Sequence, residues 1–510
     1  MKKRFLLFFS VTLFITQLVG QAQEPIPTPQ WRPVYHFTPA KNWTNDPNGL
    51  VYLNGEFHLY NQQNPFENKW GHMSWGHATS KDLIHWNHLP IAIPEKIDKD
   101  TTWIFSGSAV LDKNNTSGFC KTKDCIVAIY TADQPNLKKE SQFIAYSNDS
   151  GKTFTNYENN PVIDLQLKDF RDPNVFWHEQ TKKWIMSVAL PTQHKIRFYA
   201  SADLKNWTLL SEFGPQGYIN AAWECPFLIQ LPLKGQMGVQ KWVLGVSAAG
   251  RERGTYMQYF VGDFDGTKFT NDNTEATILD LDYGDCFYAA IPWNSVPDNK
   301  KILIGWMVPT HKETSPWKGQ MSIPRDLSVT ETNGKFYLNQ EPSSLIKNNL
   351  VALSENNSIV LTEKKVNNSD LPIEEKNIAA GNTYWLEAEF TTEPGTIAGF
   401  KIAQQKDDNN KMANGTEIGF DTNKKQVYVK NSLAWNSVKT MDVQPIDGKI
   451  KLEILVDKSS LEVFVNGGDK VLTTYIFPNE KDDHLSFFAS NGTAVLKELK
   501  AWNLSKIKSN

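Results

Sequence analysis

Three short stretches in the first half of the chain set an acid after an aromatic residue and before a proline. They are Trp43-Thr44-Asn45-Asp46-Pro47-Asn48-Gly49, Phe170-Arg171-Asp172-Pro173-Asn174 and Trp223-Glu224-Cys225-Pro226. Proline fixes its own φ at about −65° and drives the residue before it out of the helical region. A carboxylate at such a turn therefore points in a defined direction. An aromatic neighbour excludes water and favours the protonated acid. One Asp-Pro turn is ordinary structure. Three acids in the same setting suit a reaction that needs one ionised and one protonated carboxyl, and glycoside hydrolysis is such a reaction. There the carboxylate attacks or stabilises the cationic sugar carbon, and the protonated partner donates to the leaving oxygen. A separation of roughly 5 Å between them goes with retention through a covalent intermediate.

Such acids need a rigid frame. Helical patterns are scarce, and short alternating strands such as residues 55–60 and 184–189 dominate. One phrase recurs. Residues 74–83 end in His85-Trp86, residues 143–149 close with Gly151 to Phe154, residues 196–204 end in Asn206-Trp207, and residues 258–265 close with Lys268-Phe269. Each reads as a strand, an Asp-containing turn, then an aromatic that opens the next strand. Recurrence at intervals of about 50 to 70 residues predicts the blades of a β-propeller. After Arg325-Asp326-Leu327 the pattern changes. Residues 345–380 are polar, and strong alternation returns at 384–390, 451–456 and 461–465, which predicts a β-sandwich. The expected fold class is all-β: a catalytic propeller over residues 30–345, a linker and start of the second domain over 346–380, and a sandwich over 381–508.

Composition narrows the partners. A net charge of −3 over 510 residues leaves no basic excess for nucleic acid or an anionic membrane. Aromatics make up 12% of the chain, which suits stacking on sugar faces, although most such rings belong to cores. Lys2-Lys3-Arg4, the apolar residues 5–19 and the small residues of Gly20-Gln21-Ala22 read as an export signal over residues 1–22. No cysteine near that cut offers a lipid anchor, so a periplasmic or secreted protein is expected. Cys120 and Cys125 are close enough to bridge or to stay free. Cys225 has no histidine partner placed by motif and reads as a small buried side chain beneath the acid. No pattern demands a metal or an organic cofactor.

The three acid motifs resemble the signature boxes of glycoside hydrolase family 32, the invertases, inulinases and levanases. Further stretches match in the same order: Gln62 with Asn64-Pro65 (Asn61 and Gln63 replacing two tyrosines), residues 70–77, Phe105-Ser106-Gly107-Ser108, Asp282-Tyr283-Gly284 with Phe287-Tyr288-Ala289, and Trp317-Lys318-Gly319 before Pro324-Arg325. Residues 456–464 and Ile476-Phe477-Pro478 match in the second domain. The resemblance implies a five-bladed propeller followed by a sandwich with a structural role. It implies Asp46 as nucleophile, Glu224 as acid and base, and Asp172 with Arg171 as binders of fructose hydroxyls. It also implies a fructose pocket lined by Asn45, Gln62, Trp70, Phe105, Ser106 and Trp317. Backbone and Asn45 hydrogen bonds are expected to hold the Asp46 pKa low, and Trp223 with nearby carboxylates to raise that of Glu224.

The leading expectation is a retaining β-fructosidase acting on chain ends of a fructan or fructo-oligosaccharide. Its rivals are endo-action, a preference for sucrose, and a non-catalytic fructan-binding protein. Loops near residues 95–103 and 311–318 are the expected surroundings of the leaving-group sugar.

Overall fold

The computed structural model describes residues 29–249, 256–310, 312–354, 357–406, 412–413, 415–434 and 436–507. The expected export signal lies outside them. Five antiparallel sheets stand around one axis, each with four main strands. The innermost strands are Asn42–Leu53, Trp103–Leu111, Arg171–His178, Trp223–Pro232 and Phe287–Pro292. Each packs against the innermost strand of the next blade, and the fifth returns to the first, so the ring is closed. The short strand Trp317–Lys318 runs parallel to the start of Asn42–Leu53 and ties the end of the propeller to its beginning. This is the five-bladed propeller.

The recurring phrase is the third strand of each of the first four blades: Ser74–Ser80, Lys139–Ser147, Lys195–Ser201 and Met257–Phe264. Its aspartate makes the turn. One carboxylate oxygen each of Asp82, Asp149, Asp203 and Asp265 accepts two backbone N–H groups just downstream. The fifth blade lacks the phrase because its third strand, Arg325–Thr332, turns on Asn333-Gly334, both at positive φ. Such a pair suits a tight two-residue hairpin. Cys120 and Cys125 form a disulfide, and Cys225 and Cys286 are free and buried.

The second domain is the β-sandwich. Its last strand, His484–Asn503, is 20 residues long and serves both leaves. Its first half pairs with Ile397–Lys406 and its second half with Thr383–Thr392. Phe390, Phe400, Ile454, Val463 and Phe487 meet in the core between the leaves. Over 346–380, expected as a linker and the start of the second domain, helix Ser344–Leu353 is followed by the strand Ser358–Pro372, which pairs along the last strand. That strand reads as polar because its lysines and asparagines face solvent, while Ile359 and Val366 are buried.

A buried ionic network joins the two domains. Arg325 Nη2 donates to Asp282 (3.0 Å), Glu462 (2.7 Å) and Thr473 (2.6 Å). His36 bridges Asp457 (2.8 Å) and Glu462 (3.0 Å). Burial works against charge on His36, but its bonds to the two carboxylates prevail and hold its pKa up at about 9.

Candidate active site

At one mouth of the propeller every innermost strand breaks register with its neighbour. The breaks fall between Thr44 and Pro47, Ile104 and Gly107, Arg171 and Asn174, Glu224 and Phe227, and Tyr288 and Ile291. A bulge kinks its strand and re-aims the side chains beside it. Inside three of these bulges a non-glycine residue adopts positive φ: Asp172 at 67°, Cys225 at 45° and Ala289 at 51°. Residues held there are strained, and their surroundings must impose the conformation. The acid-proline pattern now has a physical reason. Pro173 and Pro226 occupy their bulges and Pro47 closes the first, opposite Asn61, at positions where no ladder N–H is required.

The bulges bring Asp46, Asp172 and Glu224 together around the axis. Asp46 Oδ2 accepts from Ser106 Oγ (2.5 Å) and Gln62 Nε2 (3.3 Å), and Oδ1 accepts from Asn45 Nδ2 (3.1 Å). Gln62 and Ser106 also bond to each other. Asp172 Oδ2 accepts the backbone N–H of Cys225 at 2.9 Å. The Cys225 Sγ lies 3.5 Å from both Asp46 Oδ2 and Asp172 Oδ2, so the thiol sits between two acids rather than beneath one. Glu224 is held at both oxygens, by Arg171 Nε (3.2 Å) and by the Tyr288 hydroxyl (2.6 Å). Arg171 Nη1 is anchored in turn on Glu140 at 2.5 Å.

The electrostatics differ from the expectation for Asp46. Burial pushes its pKa up, the bonds from Ser106 and Asn45 only moderate the rise, and the charge of Glu224 adds to it. Burial likewise takes Asp172 up to about 8, against the pull of Arg171 and with a push from Glu224 and Asp46. Three carboxylates crowd one guanidinium, and their mutual repulsion adds to the burial that raises both aspartates. Trp223 does not shield Glu224. Its ring is buried in the core between the third and fourth blades, with Nε1 donating to the Tyr218 carbonyl at 2.8 Å.

Asn45, Gln62, Ser106 and Arg171 are thus brought to the acids. Trp70, 52% exposed, and Phe105 stand together at the mouth with ring centres 6.0 Å apart. Trp317 is nearly buried. It is 2% exposed, and the guanidinium of Arg32 covers its ring at 4.1 Å. Tyr288, Glu140 and Thr131, whose hydroxyl accepts the N–H of Asp172, were not singled out by the sequence. Tyr288 lies in a matching box, but no acid or proline marks it. Beneath the acids the funnel narrows to a void of about 10 Å³ lined by Pro47, Asn48, Asp172 and Cys225. A wider cleft of about 580 Å³, lined by Trp177, His178, Trp242 and Trp293, contains none of the three acids. Among the described residues no group of His, Cys, Asp or Glu is arranged to hold a metal ion.

The family model for the glycosyl hydrolases family 32 N-terminal domain matches residues 36–342, and the family 32 C-terminal model matches residues 349–503. The chain belongs to glycosyl hydrolase family 32. This family 32 hydrolase is 41% identical to levanase of Bacillus subtilis (strain 168) over 534 residues, covering 99% of this chain and 76% of the levanase. It is 37% identical to the extracellular exo-inulinase of Aspergillus awamori over 528 residues, covering 93% and 95% of the two chains. The solved fructofuranosidase of Schwanniomyces occidentalis complexed with fructose matches the family 32 hydrolase at 32% identity. The TM-score is 0.84, with 94% of this chain and 99% of that one covered.

Proposed function

We propose that this family 32 enzyme cleaves terminal β-D-fructofuranosidic bonds of a fructan, levan- or inulin-type, and of sucrose, releasing fructose with retention. The observation that carries the reading is the division of roles among the acids. Asp46 is ringed by donors, Glu224 is gripped at both oxygens, and Asp172 lies across the thiol from Asp46.

Asp46 is the nucleophile. Its Oδ2 is occupied by Ser106, Gln62 and the thiol, which leaves Oδ1, with the single donor Asn45, to attack the anomeric carbon. As that bond forms, the bond from carbon to the leaving oxygen breaks, and Glu224 gives its proton to that oxygen. Water then attacks the same carbon, returns a proton to Glu224 and frees Asp46. Asp172 accepts sugar hydroxyls as positive charge develops. Trp70 and Phe105 offer rings at the mouth, and Asn45, Gln62, Ser106 and Arg171 position the acids and the fructose.

The names of the relatives, levanase and extracellular exo-inulinase, support action on fructan ends outside the cytoplasm. The basic and apolar N-terminal stretch supports export. No helix among the described residues is long and apolar enough to cross a membrane.

The test is a time course of products from sucrose, inulin and levan with the parent enzyme and Asp46→Ala. Fructose as the sole early product, abolished in the variant, is expected. Early release of larger oligosaccharides means endo-action. Undiminished fructose from Asp46→Ala removes Asp46 from the chemistry.

A further inference from the structure

The second blade carries a row of side chains that the proposed mechanism leaves unused. Trp103 stands directly opposite Asp133, and Asp133 directly opposite Glu140, on three adjacent strands. Residues opposed in this way share a face of the sheet, with Cβ atoms about 4.5–5.5 Å apart. Thr131, two residues before Asp133 and so on the same face, accepts the backbone N–H of Asp172. The row therefore lies at the rim of the acid cluster.

Its members are unequally satisfied. Glu140 is paired with Arg171, which also holds Glu224. Asp133 lies within the field of the same guanidinium, yet its carboxylate makes no hydrogen bond or ion pair to a described residue. Burial takes its pKa up to about 6 despite Arg171 and Lys168. A half-buried carboxylate without donors is costly, and an incoming donor relieves that cost. Trp103 is half-buried, with its ring edge-to-face against Trp70 at 5.4 Å and near Phe105 at 6.4 Å. Exposed Trp70, and Phe66 through His72, continue this surface outward. An aromatic surface for carbon-bound hydrogens beside an acceptor for neighbouring hydroxyls is the composition of a sugar site. Asp133 reaches the cluster through Arg171, the partner of Glu224, not through the donors that surround Asp46.

We infer that Trp103 and Asp133 bind the sugar unit that departs with the leaving oxygen, the ring against its carbon face and the carboxylate accepting two of its hydroxyls. The inference rests on the reading of Glu224 as the acid.

Two substrates separate the effects. Methyl β-D-fructofuranoside has the scissile bond but no departing sugar, and a fructosyl trisaccharide has both. The ratio of kcat/KM for the trisaccharide to that for the methyl fructoside is expected to fall about tenfold in Asp133→Asn and in Trp103→Ala. The change should come mainly through KM and recover in Trp103→Phe. Both substrates are measured on one preparation, so a partly unfolded variant does not alter the ratio. An unchanged ratio in Asp133→Asn and Trp103→Ala overturns the inference and leaves the fructosidase reading standing. A parent enzyme that cleaves neither substrate ends both.

Discussion

Tyr288 donates its hydroxyl to Oε2 of Glu224 at 2.6 Å, reaching from the fifth blade to the fourth. The Tyr288 hydroxyl oxygen itself accepts the backbone N–H of Ala249 at 3.2 Å, which directs the phenolic hydrogen toward the carboxyl. Burial first, and then the charge of Glu224, pushes the phenol pKa well above its ordinary value, so Tyr288 remains a donor at every working pH.

Tyr288→Phe keeps the ring and removes this one bond. If Glu224 is the acid, as proposed, misaiming it costs most where the leaving oxygen most needs its proton. We expect kcat on a fructan to fall about 10- to 100-fold and that on an aryl fructoside much less. Steady-state kinetics on the two substrates check this. Equal losses would assign Tyr288 to the scaffold instead.

Cys225 offers a test of the crowded acids. Its thiol is kept protonated by burial and by Asp172 and Asp46, so it is a weak donor to two carboxylates and not a nucleophile. As the proposed nucleophile, Asp46 must be ionised to attack, and burial already raises its pKa. Removing a donor raises it further. In Cys225→Ala the acidic limb of the kcat/KM profile is therefore expected to move to higher pH, by about half a unit. A limb that stays in place or moves down would show that the thiol does not stabilise the ionised pair. Iodoacetamide is expected to leave Cys225 and Cys286 unmodified in the folded protein, since both thiols are buried with raised pKa values.

The propeller was legible because Asp82, Asp149, Asp203 and Asp265 each write the same turn into the sequence. The fifth blade was not, because Asn333-Gly334 makes its turn by backbone conformation rather than by a side-chain acceptor. The acids stood out because a proline marks the bulge that aims each one. Tyr288 and Glu140 carry no such mark: one reaches Glu224 across a blade boundary, and the other acts through Arg171. The covering of Trp317 was hidden for a related reason. Which face of a tryptophan is open depends on a residue far away in the chain, and here Arg32 closes it. The low pKa expected for Asp46 counted its hydrogen bonds but not its burial, which is the larger effect.

His36 makes stability depend on pH. Its folded pKa of about 9 lies above the ordinary 6.5, so the folded state binds the proton more tightly. The stabilisation is fully present below about pH 6.5 and is lost as pH rises through 9. His36→Gln leaves Asp457 and Glu462 short of a buried cation and is expected to cost about 3–5 kcal/mol near neutral pH. Thermal unfolding of parent and variant from pH 6 to pH 10 checks this. The gap between them should narrow toward pH 10, and a constant gap would mean that packing rather than charge is lost.

Arg171 ties the proposed acid to the second blade. Its Nε bonds Glu224, and its Nη1 bonds Glu140 and Asp169. These bonds leave two different nitrogens of one planar group, so their relative direction is fixed by the guanidinium itself. Lysine supplies the charge from a single point and cannot hold both carboxylates in that geometry. Arg171→Lys is therefore expected to lower kcat about 100-fold on sucrose or fructan while the protein still folds, because the net charge and the Glu140 pairing can be kept. Circular dichroism and steady-state kinetics on the same preparation decide the matter. Near-parent kcat in a folded Arg171→Lys would mean that charge alone suffices beside Glu224, and that the fork geometry plays no part in aiming it.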